Sequence, residues 1–157
     1  MVELQSQTAV DRRANSIEKL ATLVGTRTDT LARYTRLAGQ RPFSEQADIL
    51  GNVQEFCQTL IDYTASAHFQ LYRYITEKVE RRTAVIEIAN SVYPHIARTT
   101  DTILSFNDKY EKASSAEEEQ HLLENLDADL SSLGEALAER IHFEDQVINA
   151  LTQEAVH

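Results

Sequence analysis

The chain has 157 residues, 42% of them hydrophobic, with four glycines and two prolines. It is long enough to bury a core without disulfides or metal, and too poor in turn residues for a many-stranded sheet. A single cysteine excludes an internal disulfide, no stretch approaches the roughly 18 apolar residues of a membrane span, and the opening MVELQSQTAVDRR lacks a signal peptide's apolar segment. The expectation is a cytoplasmic protein of one domain, residues 1–157. The formal charge of −10 divides into +3 over residues 1–43, −4 over 44–80, +1 over 81–112 and −10 over 113–157. Nucleic-acid affinity depends on neutralising phosphates, so the last segment repels DNA and direct nucleic-acid binding is not expected. Such a segment either attracts a basic partner or is a solvated face that aids solubility.

In chain order, Val10, Ala14, Ile17, Leu20, Val24, Leu31, Tyr34 and Leu37 step mostly by three and four, which predicts an amphipathic helix ended by Gly39 and Pro42, with Gly25 as a weak point. A second helix starts near Ser44 and carries Ile49, Val53, Phe56 or Cys57, Leu60, Thr64, Ala67, Leu71 and Ile75 to about Val79, with Gly51 separating its first turns. The third runs through Ala84, Ile88, Val92, Ile96, Ile103 and Leu104 to about Tyr110, and Pro94 predicts a kink or break near Val92–Tyr93. KASSAEEE, Lys112 to Glu119, reads as the connection to a last helix, opened by a capping box from Ser115 to Glu118. That helix continues through Leu122, Leu126, Leu130, Leu133, Leu137, Ile141, Ile148 and Leu151. The fold class expected is all-α, an antiparallel bundle of four long helices, some kinked or broken.

Bundles of this kind can house two metals on Glu-x-x-His pairs from different helices. The two such pairs here, Glu118–His121 and Glu139–His142, share one predicted helix and lie on the order of 32 Å apart, so no metal site is expected. Cys57 falls on the apolar stripe and His68 about three turns further along, roughly 16 Å away, too far to activate the thiol. No phosphate-binding glycine loop, G-x-S-x-G or CxxC occurs. Neither an enzyme nor a cofactor is expected.

On the second helix, Val53, Cys57, Leu60, Thr64, Ala67, Leu71 and Ile75 share the core side, flanked by Phe56, Tyr63 and Tyr74 on one edge and by Ile61 and His68 on the other. The opposite side carries Glu55, Gln58, Asp62, Ala65, Ser66, Phe69, Arg73 and Thr76. A large aromatic on that polar side either packs under another part of the chain or anchors a protein partner, and the small neighbours Ala65 and Ser66 favour the partner.

Phe56-Cys57-Gln58-Thr59-Leu60-Ile61-Asp62-Tyr63, with His68-Phe69 and Tyr72, resembles the signature of the Rsd/AlgQ family, the bacterial regulators of sigma D. The likeness continues in Tyr93-Pro94-His95-Ile96, in Phe106-Asn107-Asp108, and in Leu133-Gly134-Glu135-Ala136-Leu137 with Arg140, Glu144 and Asp145. The resemblance implies an all-helical anti-sigma factor whose partner is region 4 of the primary sigma factor, the helix-turn-helix domain that reads the −35 promoter element and docks on core RNA polymerase. It places Asp62, Ala65 and Phe69 on the sigma-contacting surface; Ser66 and Arg73 lie on the same outer stripe. Three departures stand out: Ala65 replaces the family's common serine, Arg73 stands where an acidic residue is usual, and Ala21-Thr22-Leu23-Val24 stands where the family has Asp-Arg-Trp-Leu. The competing readings are a metal- or small-ligand-binding bundle using His68 or His142, and a scaffold that self-associates through the same stripe.

Overall fold

The computed structural model describes residues 2–43, 48–72, 83–113 and 116–154, and the regular structure among them is entirely helical. Helix α1 is Val2–Ala38 and α2 is Ile49–Ala67, continued by a π-helical turn, His68–Tyr72. Helices α3 and α4 are Thr83–Tyr110 and Ala116–Glu154. Adjacent helices are antiparallel. Thr30 bonds the carbonyl of Thr59 while Arg33 reaches back to Glu55. Phe56 meets Phe106 while Tyr72 meets Tyr93, and Thr99 meets Arg140 while Tyr110 meets Asp129. Arg27 pairs with Asp145 while Tyr34 bonds the carbonyl of Leu130, which closes the ring between α1 and α4.

Most buried positions on α3 and α4 alternate by three and four residues, the pattern of helices packed at a shallow angle. On α3 they are Val85, Ala89, Val92, Ile96, Thr99, Ile103, Phe106 and Tyr110; on α4, Leu126, Leu130, Leu133, Leu137, Arg140, Glu144, Val147 and Leu151. Phe56 sits at the centre of the α1–α2–α3 contact, 6.1 Å from the rings of both Tyr34 and Phe106. Each such side chain withdrawn from water contributes about 1.5–3 kcal/mol.

Several expected core positions move. Val24, Ala84 and Leu104 are exposed, because Leu23, Val85 and Ile103 take the in-phase places beside them. The side chains of Val10, Ala14 and Ile17 lie outside the described residues, as do Tyr74 and Ile75. Helix α1 passes through Gly25 without a break, and α3 passes through Pro94. Pro94 supplies no N–H to the carbonyl of Asn90, but both residues are exposed, so water can take that carbonyl. Helix α2 begins after Asp48, whose backbone is left-handed at φ 68°, and runs unbroken through Gly51. Ser44 and Ser115 lie outside the described residues; α4 starts at Ala116, inside the stretch expected as a connection, with Glu117, Glu118 and Glu119 in its positively polarised first turn. The Gln54 amide donates to the carbonyls of Tyr110, Glu111 and Ala113, satisfying the end of α3 that the capping rules leave open. Among the described residues no helix is long and apolar enough to cross a membrane.

Candidate functional site

Helix α2 turns one side to the core and one to solvent. Val53, Phe56, Cys57, Leu60, Tyr63 and Ala67 are buried, while Glu55, Gln58, Asp62 and Ala65 are exposed. Asp62 borders a groove against α1, shared with Thr26, Asp29, Arg33, Arg36 and Thr59. Among the described residues its carboxylate makes no hydrogen bond or ion pair, and the groove presents both signs of charge rather than an acidic surface. Ser66 is half-buried, and its Oγ has no hydrogen-bond partner among the described residues. Phe69 is 55% exposed, the largest exposure of a big apolar side chain among the described residues. Arg73 and Thr76 lie outside them.

Beyond Ala67 the backbone is π-helical; the helical wheel still places Phe69 outward and Leu71 inward but misplaces His68. His68, expected at the core edge, is exposed and packs edge-to-face on Phe69, while Leu71 and Tyr72 are both buried. Tyr63, also expected at an edge, is fully buried.

Behind this face lies a polar layer that hydrophobic periodicity did not find. Glu144 and Arg140, one turn apart on α4, are 0% and 1% exposed. The Tyr63 hydroxyl donates to Glu144 Oε1, Tyr72 donates to Oε2 at 3.2 Å, and Arg140 Nε donates to Oε2 at 3.1 Å. Arg140 Nη1 continues to Thr100 Oγ1 at 2.8 Å and Thr99 Oγ1 at 3.2 Å, and its guanidinium lies over the rings of Tyr63 and Tyr72 at 5.5 and 5.9 Å. Arg27 of α1 reaches Asp145 at 2.9 Å and Glu144 at 3.7 Å. Side chains of α1, of α2 with its π-helical turn and of α4 therefore meet at one carboxylate, and α3 joins them through Arg140.

Burial, and then the negative charge of Glu144, push the Tyr63 and Tyr72 hydroxyls above the usual tyrosine range, so both stay protonated donors. Burial works against the charge of Arg140, but its neighbours Tyr72, Glu144 and Tyr63 outweigh it and hold the guanidinium above the usual arginine range. Glu144 is fully buried and already accepts from three donors, so the layer is a scaffold rather than a base awaiting a substrate. Burial, and then Glu111, push the Cys57 thiol up to about 12, which makes it an inert core residue. Among the described residues no three His, Cys, Asp or Glu side chains cluster as a metal site would require. His142 is exposed and contacts Gln146 and the ring of Phe143.

The family model described as "Regulator of RNA polymerase sigma(70) subunit, Rsd/AlgQ" matches residues 1–152. A Regulator of sigma D from Yersinia enterocolitica (serotype O:8 / biotype 1B) is 29% identical over 145 residues, covering 90% of this chain and 85% of that protein. The Regulator of sigma D from Enterobacter sp. (strain 638) is 30% identical over 146 residues, covering 92% and 86%. No solved structure matches.

Proposed function

The chain belongs to the Rsd/AlgQ family of regulators of the RNA polymerase sigma(70) subunit, and on that premise we propose that it is a cytoplasmic anti-sigma factor that binds region 4 of the primary sigma factor. By covering region 4 it blocks that domain's contacts with promoter DNA or with core polymerase. The observation that carries the reading is Phe69, more than half exposed on the same outer side as Asp62 and Ala65. In this reading Phe69 is the apolar anchor, and Asp62 accepts from a basic side chain of the sigma domain. Ala65 and Ser66 are small enough for a partner helix to approach closely. Arg73 joins the face on the strength of its place in the sequence. Asp29, Arg33 and Arg36 on α1 border the groove at Asp62 and supply contacts of both signs, about one to four turns beyond the stretch Ala21–Val24 where the first helix departs from the family motif.

Phe69→Ala tests the proposal. Truncating such an anchor typically costs about 2 kcal/mol or more, roughly thirtyfold in affinity. Binding to isolated region 4, measured by calorimetry, should fall by that amount while the helical circular dichroism and melting temperature stay as in the wild type. Full-strength binding, or binding lost only together with the helical signal, would overturn it.

A further inference from the structure

The core positions of α2 are Ile49, Val53, Phe56, Cys57, Leu60, Tyr63 and Ala67, which an unbroken helix would continue at Gln70 or Leu71 but not at Tyr72. Gln70 is only half-buried, and Leu71 and Tyr72 are both buried. The pattern slips by one residue at Tyr72, which is what a turn bonded i→i+5 absorbs. At about 100° per residue, positions 63 and 72 of an unbroken α-helix would point about 180° apart. Absorbing one residue brings them to about 80°. Only then do both phenols lie on the side of one carboxylate, Tyr63 on Glu144 Oε1 and Tyr72 on Oε2. A π turn is rare and needs compensation, and hydrogen bonds to an ionised acceptor are about twice as strong as neutral ones. Within the same turn stands Phe69, and one position before Tyr63 stands Asp62.

We infer that Glu144 is a positioning residue for partner recognition: by holding Tyr63 and Tyr72 together it locks the π-helical turn and sets where Phe69 stands relative to Asp62. Arg27 draws α1, the other wall of the groove, to the same carboxylate and to Asp145. The lock is a property of the free protein; its consequence for binding rests on the partner reading of this face given above.

Tyr72→Phe keeps the ring and removes only the hydroxyl that reaches Glu144. Hydrogen–deuterium exchange of the free protein should then speed up about tenfold across residues 68–72, with the helical signal retained. Binding to region 4 should weaken about fivefold, and Phe69→Ala should cost less in this background than in the wild type. Glu144→Gln should act in the same direction, and if it does not fold, Tyr63→Phe takes its place. Wild-type exchange across residues 68–72 in Tyr72→Phe overturns the lock, whatever the partner. Faster exchange with unchanged binding, or with additive costs for the two substitutions, overturns the positioning role. No effect of Phe69→Ala alone overturns the partner reading, and the exchange measurement still decides the lock.

Discussion

Taking an isolated guanidinium or carboxylate out of water costs several kcal/mol, and α4 does so twice, at Arg140 and at Glu144. The cost is offset locally. Glu144 accepts from Tyr63, Tyr72 and Arg140, and Arg140 Nη1 donates to Thr99 and Thr100 while the guanidinium lies over two aromatic rings. Neither charge tolerates losing the other. Arg140→Leu leaves the buried carboxylate with only the longer contact to Arg27 at 3.7 Å, and should lower unfolding free energy by about 3 kcal/mol in urea denaturation. Adding Glu144→Leu removes that stranded charge and should recover part of the loss, although two phenols then lack their acceptor. A single substitution costing under about 1 kcal/mol would mean that water reaches this layer.

At the scale of the helix, what was legible in the sequence and what was not follow from one cause. Four amphipathic segments, and the helix ends near Gly39 and at Tyr110, could be read because most buried side chains are apolar. The phase within each segment could not be read from hydrophobicity alone. Val24 and Leu104 are apolar and exposed, while Thr30, Thr99, Arg140 and Glu144 are polar and buried. A signal was nevertheless present: counting on by three and four from Leu126, Leu130, Leu133 and Leu137 lands on Arg140 and Glu144, not on Ile141. The outward side of α2 was legible because Asp62, Ala65 and Phe69 are in phase. The π turn was not, since its buried tyrosine answers to a carboxylate 72 residues away. Gly134 is a second case of one helix set by another. It sits mid-helix, where alanine would be better by about 1 kcal/mol, yet a Cβ there would overlap the hydroxyl of Tyr34, which bonds the Leu130 carbonyl at 2.8 Å. Displacing that ring costs about 1–3 kcal/mol in overpacking, and about 1 more for the hydrogen bond. Gly134→Ala should therefore lower the melting temperature, and lower it less in a Tyr34→Phe background; a rise in melting temperature would mean that α1 and α4 are not held this close.

For the whole molecule, the protons buried with the core matter as much as the charges. Cys57, Tyr63, Tyr72 and Tyr110 each hold their proton more tightly folded than unfolded: burial is the leading cause in all of them, reinforced by Glu111, Glu144, Glu144 and Asp129 respectively. Unfolding returns the thiol to about 9 and the phenols to about 10. Because the folded values are the higher ones, the stability these groups contribute is complete below about pH 9 and is lost as the pH climbs toward the folded values. For Cys57 the loss runs at about 1.4 kcal/mol per pH unit between pH 9 and about 12. The phenols add to it from about pH 10 upward. The expected behaviour is a cooperative alkaline unfolding in which the tyrosinate absorbance of Tyr63, Tyr72 and Tyr110 rises together with the loss of helical circular dichroism, not before it. Cys57→Ala should flatten the fall of the urea midpoint between pH 9 and 10, where the thiol acts before the phenols. If all six tyrosines ionised while the helical signal stayed intact, the layer would be open to solvent, and Glu144 could not hold two phenols against one another.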